Sequence, residues 1–415
     1  MNLEVIDENK ITAVGHFIVV AVFLLLSMTP QTFAQATEEV ATETSTATTD
    51  EDTVLDEAPF ISSRAAGLGG ALSTLADDID AVYYNPAGIG GLHWEKAKPP
   101  FLRKVYFPLV GAGANANTQN LIRDFRNEDG TRDTTVGRAI VNAHEGDRQY
   151  ARVSAAFGTV FGRMIVAPFI DHQIAAVSYG PDAAGQESDL IKMRYRTMTG
   201  AMAGGSICDP SGTVYLGWSS VYASRKESMG DFSYLDMLTS STRNSAINAL
   251  STTYTGVANN AGMLWRISEK GRPSLGVSLR NFGDTKYKSS SSDQEDLTIK
   301  QDMAVGFSLS PNINKWGTLN FIVEEDHVGD NNITLQKKHH IGLELLAYGP
   351  RTMGSYAMLG ARTGYSNAGI SFGLTLNVGL INLEAGSFAE DLGIDNKRVP
   401  ERRTIYTVGI NVAQF

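Results

Sequence analysis

The stretch "NAGISFGLTLNVGLI" near the carboxy terminus alternates without a break. Ile370, Phe372, Leu374, Leu376, Val378 and Leu380 share one parity; Ser371, Gly373, Thr375, Asn377 and Gly379 share the other. A strand sends successive side chains to opposite faces, so such a segment has one apolar and one small or polar face. The pattern recurs in "PSLGVSLR", with Leu275, Val277 and Leu279 on one parity, and in "QDMAVGFSLS", with Met303, Val305, Phe307 and Leu309. In "TVYLGWSSVY" the apolar set is Val214, Leu216, Trp218 and Tyr222. No run of 18 apolar residues occurs, so a helix is not the element that would cross a membrane.

Soluble sandwiches alternate too, and connection lengths separate the two cases. Strands are expected at 103–112, 149–158, 163–177, 190–202, 212–224, 252–267, 273–287, 296–309, 316–328, 338–347, 354–363, 367–376, 379–388 and 403–415. That makes fourteen. Their connections alternate between long segments, such as 113–148 and 225–251, and short ones, such as "TVFG" and "CDPSG". Only "GYSNAG" is short where a long loop is due. Short turns at one end and long loops at the other are the mark of an outer-membrane barrel. The expected class is all-β, a transmembrane antiparallel β-barrel of about 14 strands with both chain ends on the periplasmic side. Trp265, Trp316, Tyr348 and Tyr356 lie near short turns, where an aromatic girdle would sit. The chain ends in Phe415, which suits a bacterial barrel's assembly signal. It is out of phase with Tyr406, Val408, Ile410 and Val412, and a bulge near Gln414 would restore the phase.

The beginning of the chain reads differently. "FIVVAVFLLLSM" has the length of a signal-peptide core, and "TFAQA" after it offers cleavage after Ala34 or Ala36. Residues 1–36 are therefore expected to be a signal peptide; the alternative is a buried N-terminal helix. Residues 37–58 carry eight acidic side chains and no basic one, and read as an acidic disordered linker, or as a metal-collecting or partner-binding tail. Leader and linker account for the whole net charge of −10, leaving residues 59–415 formally neutral. Nothing is basic enough for nucleic acid. Cys208, the single cysteine, excludes an intrachain disulfide framework.

Between linker and strands comes "RAAGLGGALSTLADDIDAVYYNPAGIGGL", Arg64 to Leu92. Its small residues allow close backbone approach, and Asn85 before Pro86 reads as an N-cap with proline at the first helical position. Asp77, Asp78 and Asp80 would be loop caps, partners for lumen arginines, or a calcium cluster. This segment resembles the N-terminal segment of the FadL-like superfamily of outer-membrane barrels, closest in look to its PorV/PorQ-type and related uncharacterised members. The residues that carry the resemblance are Arg64, Gly67, Gly69, Gly70, Asp77, Asp78, Asn85, Pro86, Ala87 and Gly88. The resemblance implies that residues 59–100 fold into the lumen as a plug and 101–415 form the outer-membrane β-barrel of a Gram-negative-type bacterium.

With the apolar parity facing lipid, the other parity lines the lumen. It includes Lys192, Arg194, Arg196, Arg280, Glu324, Asp326, Glu344, Arg362 and Glu384. On the lipid face such charges would cost roughly 2–4 kcal/mol each near the midplane. A charged lumen network is expected, holding the plug or touching a permeant. The rest of that parity reads as Ser, Thr and Gly, with few bulky apolar residues. No G-x-S-x-G, H-E-x-x-H or C-x-x-C occurs, and adjacent Asp171 and His172 would point to opposite faces. No enzymatic activity, cofactor or metal is expected. The resemblance implies transport of hydrophobic or small molecules across the outer membrane. The alternative is a PorV-like scaffold or shuttle for secreted proteins. Partners would be outer-membrane lipid and a hydrophobic permeant or a secreted protein.

Overall fold

A computed structural model describes residues 55, 58, 62–90, 102–127, 134–179, 190–233, 240–314, 317–330, 332–348, 357–378, 380–393 and 398–413. The expected signal peptide, nearly all of the acidic linker, Trp316, Tyr356 and Phe415 lie outside these residues.

Fourteen strands make the wall. They are β1 Leu102–Asn115, β2 Arg148–Phe161, β3 Met164–Ser178, β4 Leu190–Cys208, β5 Val214–Ser233, β6 Ser251–Arg266 and β7 Ser274–Arg280. The second half is β8 Asp302–Leu309, β9 Gly317–Glu325, β10 His339–Tyr348, β11 Ala357–Ser366, β12 Gly369–Val378, β13 Ile381–Asp391 and β14 Pro400–Ala413. Each pairs antiparallel with its sequence neighbours, and β1 pairs with β14, which closes the ring. Closure leaves no edge strand, so each strand has a partner on both sides within the wall, the condition for backbone to cross a bilayer.

The period-two pattern sorts the faces as expected. Ile370, Phe372 and Leu374 of β12 are exposed, whereas Ser371, Gly373 and Thr375 are buried. Tyr406, Val408 and Ile410 point out from β14; Arg403, Ile405 and Thr407 point in. The exposed apolar side chains form the outward face of the barrel, which is the lipid-facing surface of a membrane wall. Trp265 is 44% exposed beside the short β6–β7 turn.

Two expected strands are shorter than the alternation suggested. The run 273–287 ends at Arg280, and 296–309 starts at Asp302. Between them Asn281, Gly283 and Asp284 have φ of 52, 78 and 60 degrees, a left-handed turn that no continuous strand tolerates. The chain beyond this turn forms a small hairpin, Thr285–Ser289 with Leu297–Ile299, that touches β6 through Tyr254 and Thr255. The long β1–β2 connection carries two helices, Ala116–Asn127 and Thr134–Ala143, and the β5–β6 connection carries Ser240–Ala249.

Candidate functional site

The segment from Ser62 to Gly90 lies against the buried face of the wall and is built from short turns. Ser62 caps helix Ser63–Gly67, its Oγ accepting from the Ala65 N–H at 3.0 Å. Gly69 and Gly70 then reverse the chain at φ of 68 and 96 degrees, which a residue with a Cβ adopts only at a cost. Asn85 caps the 3-10 turn Pro86–Ile89, accepting from the Ala87 N–H, with proline at the first position. Its amide donates to Ser73 O at 2.8 Å and to Met263 O on β6 at 3.1 Å. Contact with the wall is close. A Cβ on Gly67 would meet Gly373 Cα at 3.0 Å, and one on Gly217 of β5 would overlap the Pro86–Ala87 backbone. Ala87 packs against Tyr215 and Leu264, and Cys208 borders that cluster.

On the β7–β13 side the wall meets this segment with charge. Arg64 donates twice to Glu344, at 2.9 and 2.8 Å, and once to Asp77 at 2.6 Å. Glu344 also accepts from Arg362 at 2.7 Å and from Asn320 at 2.7 Å, so a fully buried carboxylate is held by three donor side chains. Glu324 accepts from the Ser73 N–H at 2.8 Å. Glu384 accepts from Ser63 Oγ, and the Gly69 carbonyl lies 2.6 Å from His340 Nδ1. Arg280 pairs with Asp302 and, at 3.2 Å, with Asp326. Asp78 caps locally, accepting from the Asp80 N–H at 3.0 Å.

The cations of β4 belong to a different group. Arg194, Arg196 and Arg225 converge on Glu227, the first two at 3.3 and 3.8 Å. Lys192 shares their parity nearer the start of the strand. Asp171 and His172 indeed face opposite ways: Asp171 is buried and pairs with Arg152 at 2.6 Å, while His172 meets Thr197 on the outer face. Among the described residues no group of three or more His, Cys, Asp or Glu side chains could hold a metal ion.

The inner surface of β3 to β6 corrects the expected lumen composition. Ile165, Ala167 and Phe169 of β3, Met198 and Met202 of β4, Val221 and Ala223 of β5 and Ala258 of β6 all face inward and are buried. They form one apolar cluster with Leu72, Ile79 and Val82 of the N-terminal segment. The small hairpin closes this cluster from the loop side through Tyr287, Leu297 and Ile299. The lumen thus has an apolar patch on β3–β6, bounded on the loop side by the buried Arg152–Asp171 pair and the Arg194–Arg196–Arg225–Glu227 group, and a charged side along β7–β13. Sequence parity missed this because β3 is apolar on both parities, with Met164, Val166 and Ile170 outside.

The wall is interrupted beside the apolar half. Between β1 and β2 the register passes from Tyr106–Gly158 to Leu109–Ala156, so Phe107 and Pro108 stand opposite Phe157 alone. Between β2 and β3 it passes from Ala156–Phe169 to Thr159–Val166, so Phe157 and Gly158 go unmatched against Ala167 and Pro168. The β3–β4 ladder runs through the same place unbroken. Proline has no N–H for a ladder, and one lies on each strand flanking Phe157.

No family model matches the chain, and no curated protein does. Among solved structures it is similar to a deletion mutant of the TodX monoaromatic hydrocarbon channel, at 10% identity over 85% of this chain and 99% of that one, TM-score 0.46. It is similar to the toluene transporter TbuX of Ralstonia pickettii at 11% identity, over 86% and 99%, TM-score 0.46. A Pseudomonas aeruginosa FadL homologue matches at 10% identity over 84% and 98%, TM-score 0.30. FadL-type barrels are thus among the structures this chain resembles over most of its length.

Proposed function

We propose that the protein is an outer-membrane channel for an apolar small molecule, with the N-terminal segment as its plug. The observation that carries this reading is the inner apolar surface of β3–β6. A barrel filled only to hold a plug could be polar throughout, as the β7–β13 side is. Here one side of the lumen offers Phe, Met, Val and Ala to whatever replaces the packed hairpin and segment. Methionine adapts its shape to varied apolar neighbours, which suits a path more than a fixed core. The same surface borders the interrupted ladder at Phe157–Gly158, where a molecule would leave sideways into the bilayer without passing the charged half. The plug's ion pairs lie on the opposite side and hold it while the apolar side loosens.

The test is uptake of an apolar fluorescent dye by outer-membrane vesicles or cells carrying the protein. Met202→Lys places a charge in the path and is expected to reduce uptake several-fold, while Ser220→Ala, on the outer face of β5, leaves it near wild type. Equal uptake by vesicles with and without the folded protein would sink the reading.

A further inference from the structure

A cavity of about 220 Å³ lies on the other side of the wall, outside the lumen. Helices Ala116–Asn127 and Thr134–Ala143 fold down over the outward face of β2–β4 at their loop ends. The outward position follows from parity: Ile174, Ala176 and Ser178 continue the face of exposed Val166 and Ile170. Ser178 Oγ donates to the carbonyls of Val141 and His144, at 3.3 and 2.9 Å, which fixes the second helix there. Leu121 and Val141 of the helices face Ala151, Ile174, Ala176 and Ile191 of the strands across the cavity.

Most of the polar groups around it are committed elsewhere, Gln149 Oε1 excepted. Thr118 Oγ1 donates to Tyr150 O at 3.0 Å and accepts from Tyr150 N at 2.8 Å. His144 is held between Asp147 and Asp124, at 2.9 and 3.1 Å. Asn115 and Asn117 both donate to Arg148 O, at 2.7 and 3.1 Å. These bonds tie both helices to the wall at a set distance, so the space between them cannot collapse by a small shift. They leave the surface facing the cavity almost wholly hydrocarbon; of the described lining side chains only Gln149 keeps an unpaired polar atom, its Oε1. A polar ligand or a water cluster would find a single acceptor there, Gln149 Oε1, fewer than the two to four partners a buried water takes, whereas dry apolar cavities of roughly 150 Å³ take up benzene-sized molecules. The volume is below the range of pockets for drug-sized ligands, which sets the size of the occupant.

We propose that this cavity binds one small, uncharged, wholly apolar molecule of about single-ring size, on the outer wall and separate from the lumen. The site does not depend on the channel reading, because its readout is occupancy and not uptake.

Crystals of the full-length protein soaked in iodobenzene are expected to show an anomalous iodine peak between Leu121 and Ala176. Titration of fluorobenzene by fluorine NMR, with the protein held in amphipol, should show saturable binding. Ala176→Phe fills the space and should remove both the peak and the saturable component. Ile191→Phe fills it from the neighbouring strand and serves where the first variant does not fold. A folded wild-type protein with no iodine in the cavity overturns the proposal. So does an unsoaked crystal with a detergent or lipid chain already seated there, or an unchanged binding curve in the filled variants.

Discussion

Arg64 and Glu344 are 280 residues apart in sequence and joined by two hydrogen bonds of 2.9 and 2.8 Å. The pair ties the N-terminal segment to β10, and Arg362 on β11 shares the same carboxylate. Removing the carboxylate should therefore do more harm than removing one guanidinium. Glu344→Gln leaves Arg362 without its anion and Arg64 with Asp77 alone, and is expected to cost about 3–5 kcal/mol. Arg64→Met leaves Glu344 still bound by Arg362 and Asn320 and should cost about 1–3 kcal/mol. Denaturant unfolding in detergent, read by gel mobility of the folded barrel, would rank the two. The reverse order would contradict the shared-carboxylate arrangement.

Gly364 on β11 lets the wall approach the segment backbone. A Cβ there would overlap Leu68 and Gly69. Gly364→Ala is expected to loosen the segment at about 1–3 kcal/mol, the usual range for overpacking, and to leave strand pairing intact. Limited proteolysis should then cut within 64–90 while the barrel band persists. A segment as resistant as in the wild type would show that the contact yields easily.

Asn85 is fully buried and makes three hydrogen bonds. Asn85→Ala strands the carbonyls of Ser73 and Met263 and removes the cap, at an expected cost of about 1–3 kcal/mol. Asn85→Asp keeps the cap but loses both donors, so it should rescue little. Thermal scans of the two variants make the comparison.

His144 sits between two carboxylates at the end of the loop helices. Burial works against its charged form, and the hydrogen bonds to Asp147 and Asp124 outweigh it, so its pKa is raised. A raised pKa means the charged form is favoured by folding. Its stabilising effect is complete below the ordinary histidine value of about 6.5 and is lost as pH rises through the higher folded value. Hydrogen exchange in the helices Ala116–Asn127 and Thr134–Ala143, corrected for intrinsic rate, should quicken as pH rises above the ordinary histidine range. His144→Gln should remove that dependence, and an unchanged pH profile in the variant would exclude His144 as its source.

Pro168 offers a test of the wall break. Pro168→Val restores a backbone N–H on β3 and should tighten the β2–β3 ladder, leaving stability equal or higher. Under the channel reading, uptake of an apolar dye falls several-fold. Unchanged uptake by a folded Pro168→Val barrel would move the exit elsewhere.

Much of the wall was legible in sequence. Clean alternation, as at Ile370–Leu374, fixes both strand and face, because a one-residue slip would send Ser371 and Gly373 to lipid. The Asn85–Pro86 cap was legible for the same local reason. The apolar half of the lumen was not: Phe169, Met198 and Met202 sit on strands where both parities carry apolar residues, and parity then loses its information. Nor was the bend after Arg280, because Asn281 and Asp284 look polar in a strand and only their backbone angles show the turn. The partition of Arg194 and Arg196 from Arg64 depends on which strands are neighbours across the ring, a long-range fact that spacing does not encode.

The two-sided lumen also separates two kinds of inheritance. The ion pairs that hold the segment sit on β7–β13, and the apolar side chains that, under the channel reading, would meet a passing molecule sit on β3–β6. A lineage can therefore exchange Met198, Met202 or Val221 for other apolar side chains without touching the Arg64–Glu344–Arg362 group. Under the channel reading, such a barrel is free to drift in what it carries while its ion-paired group stays fixed. Sequence sets from relatives should vary most on the inner face of β3–β6 and least around Glu344.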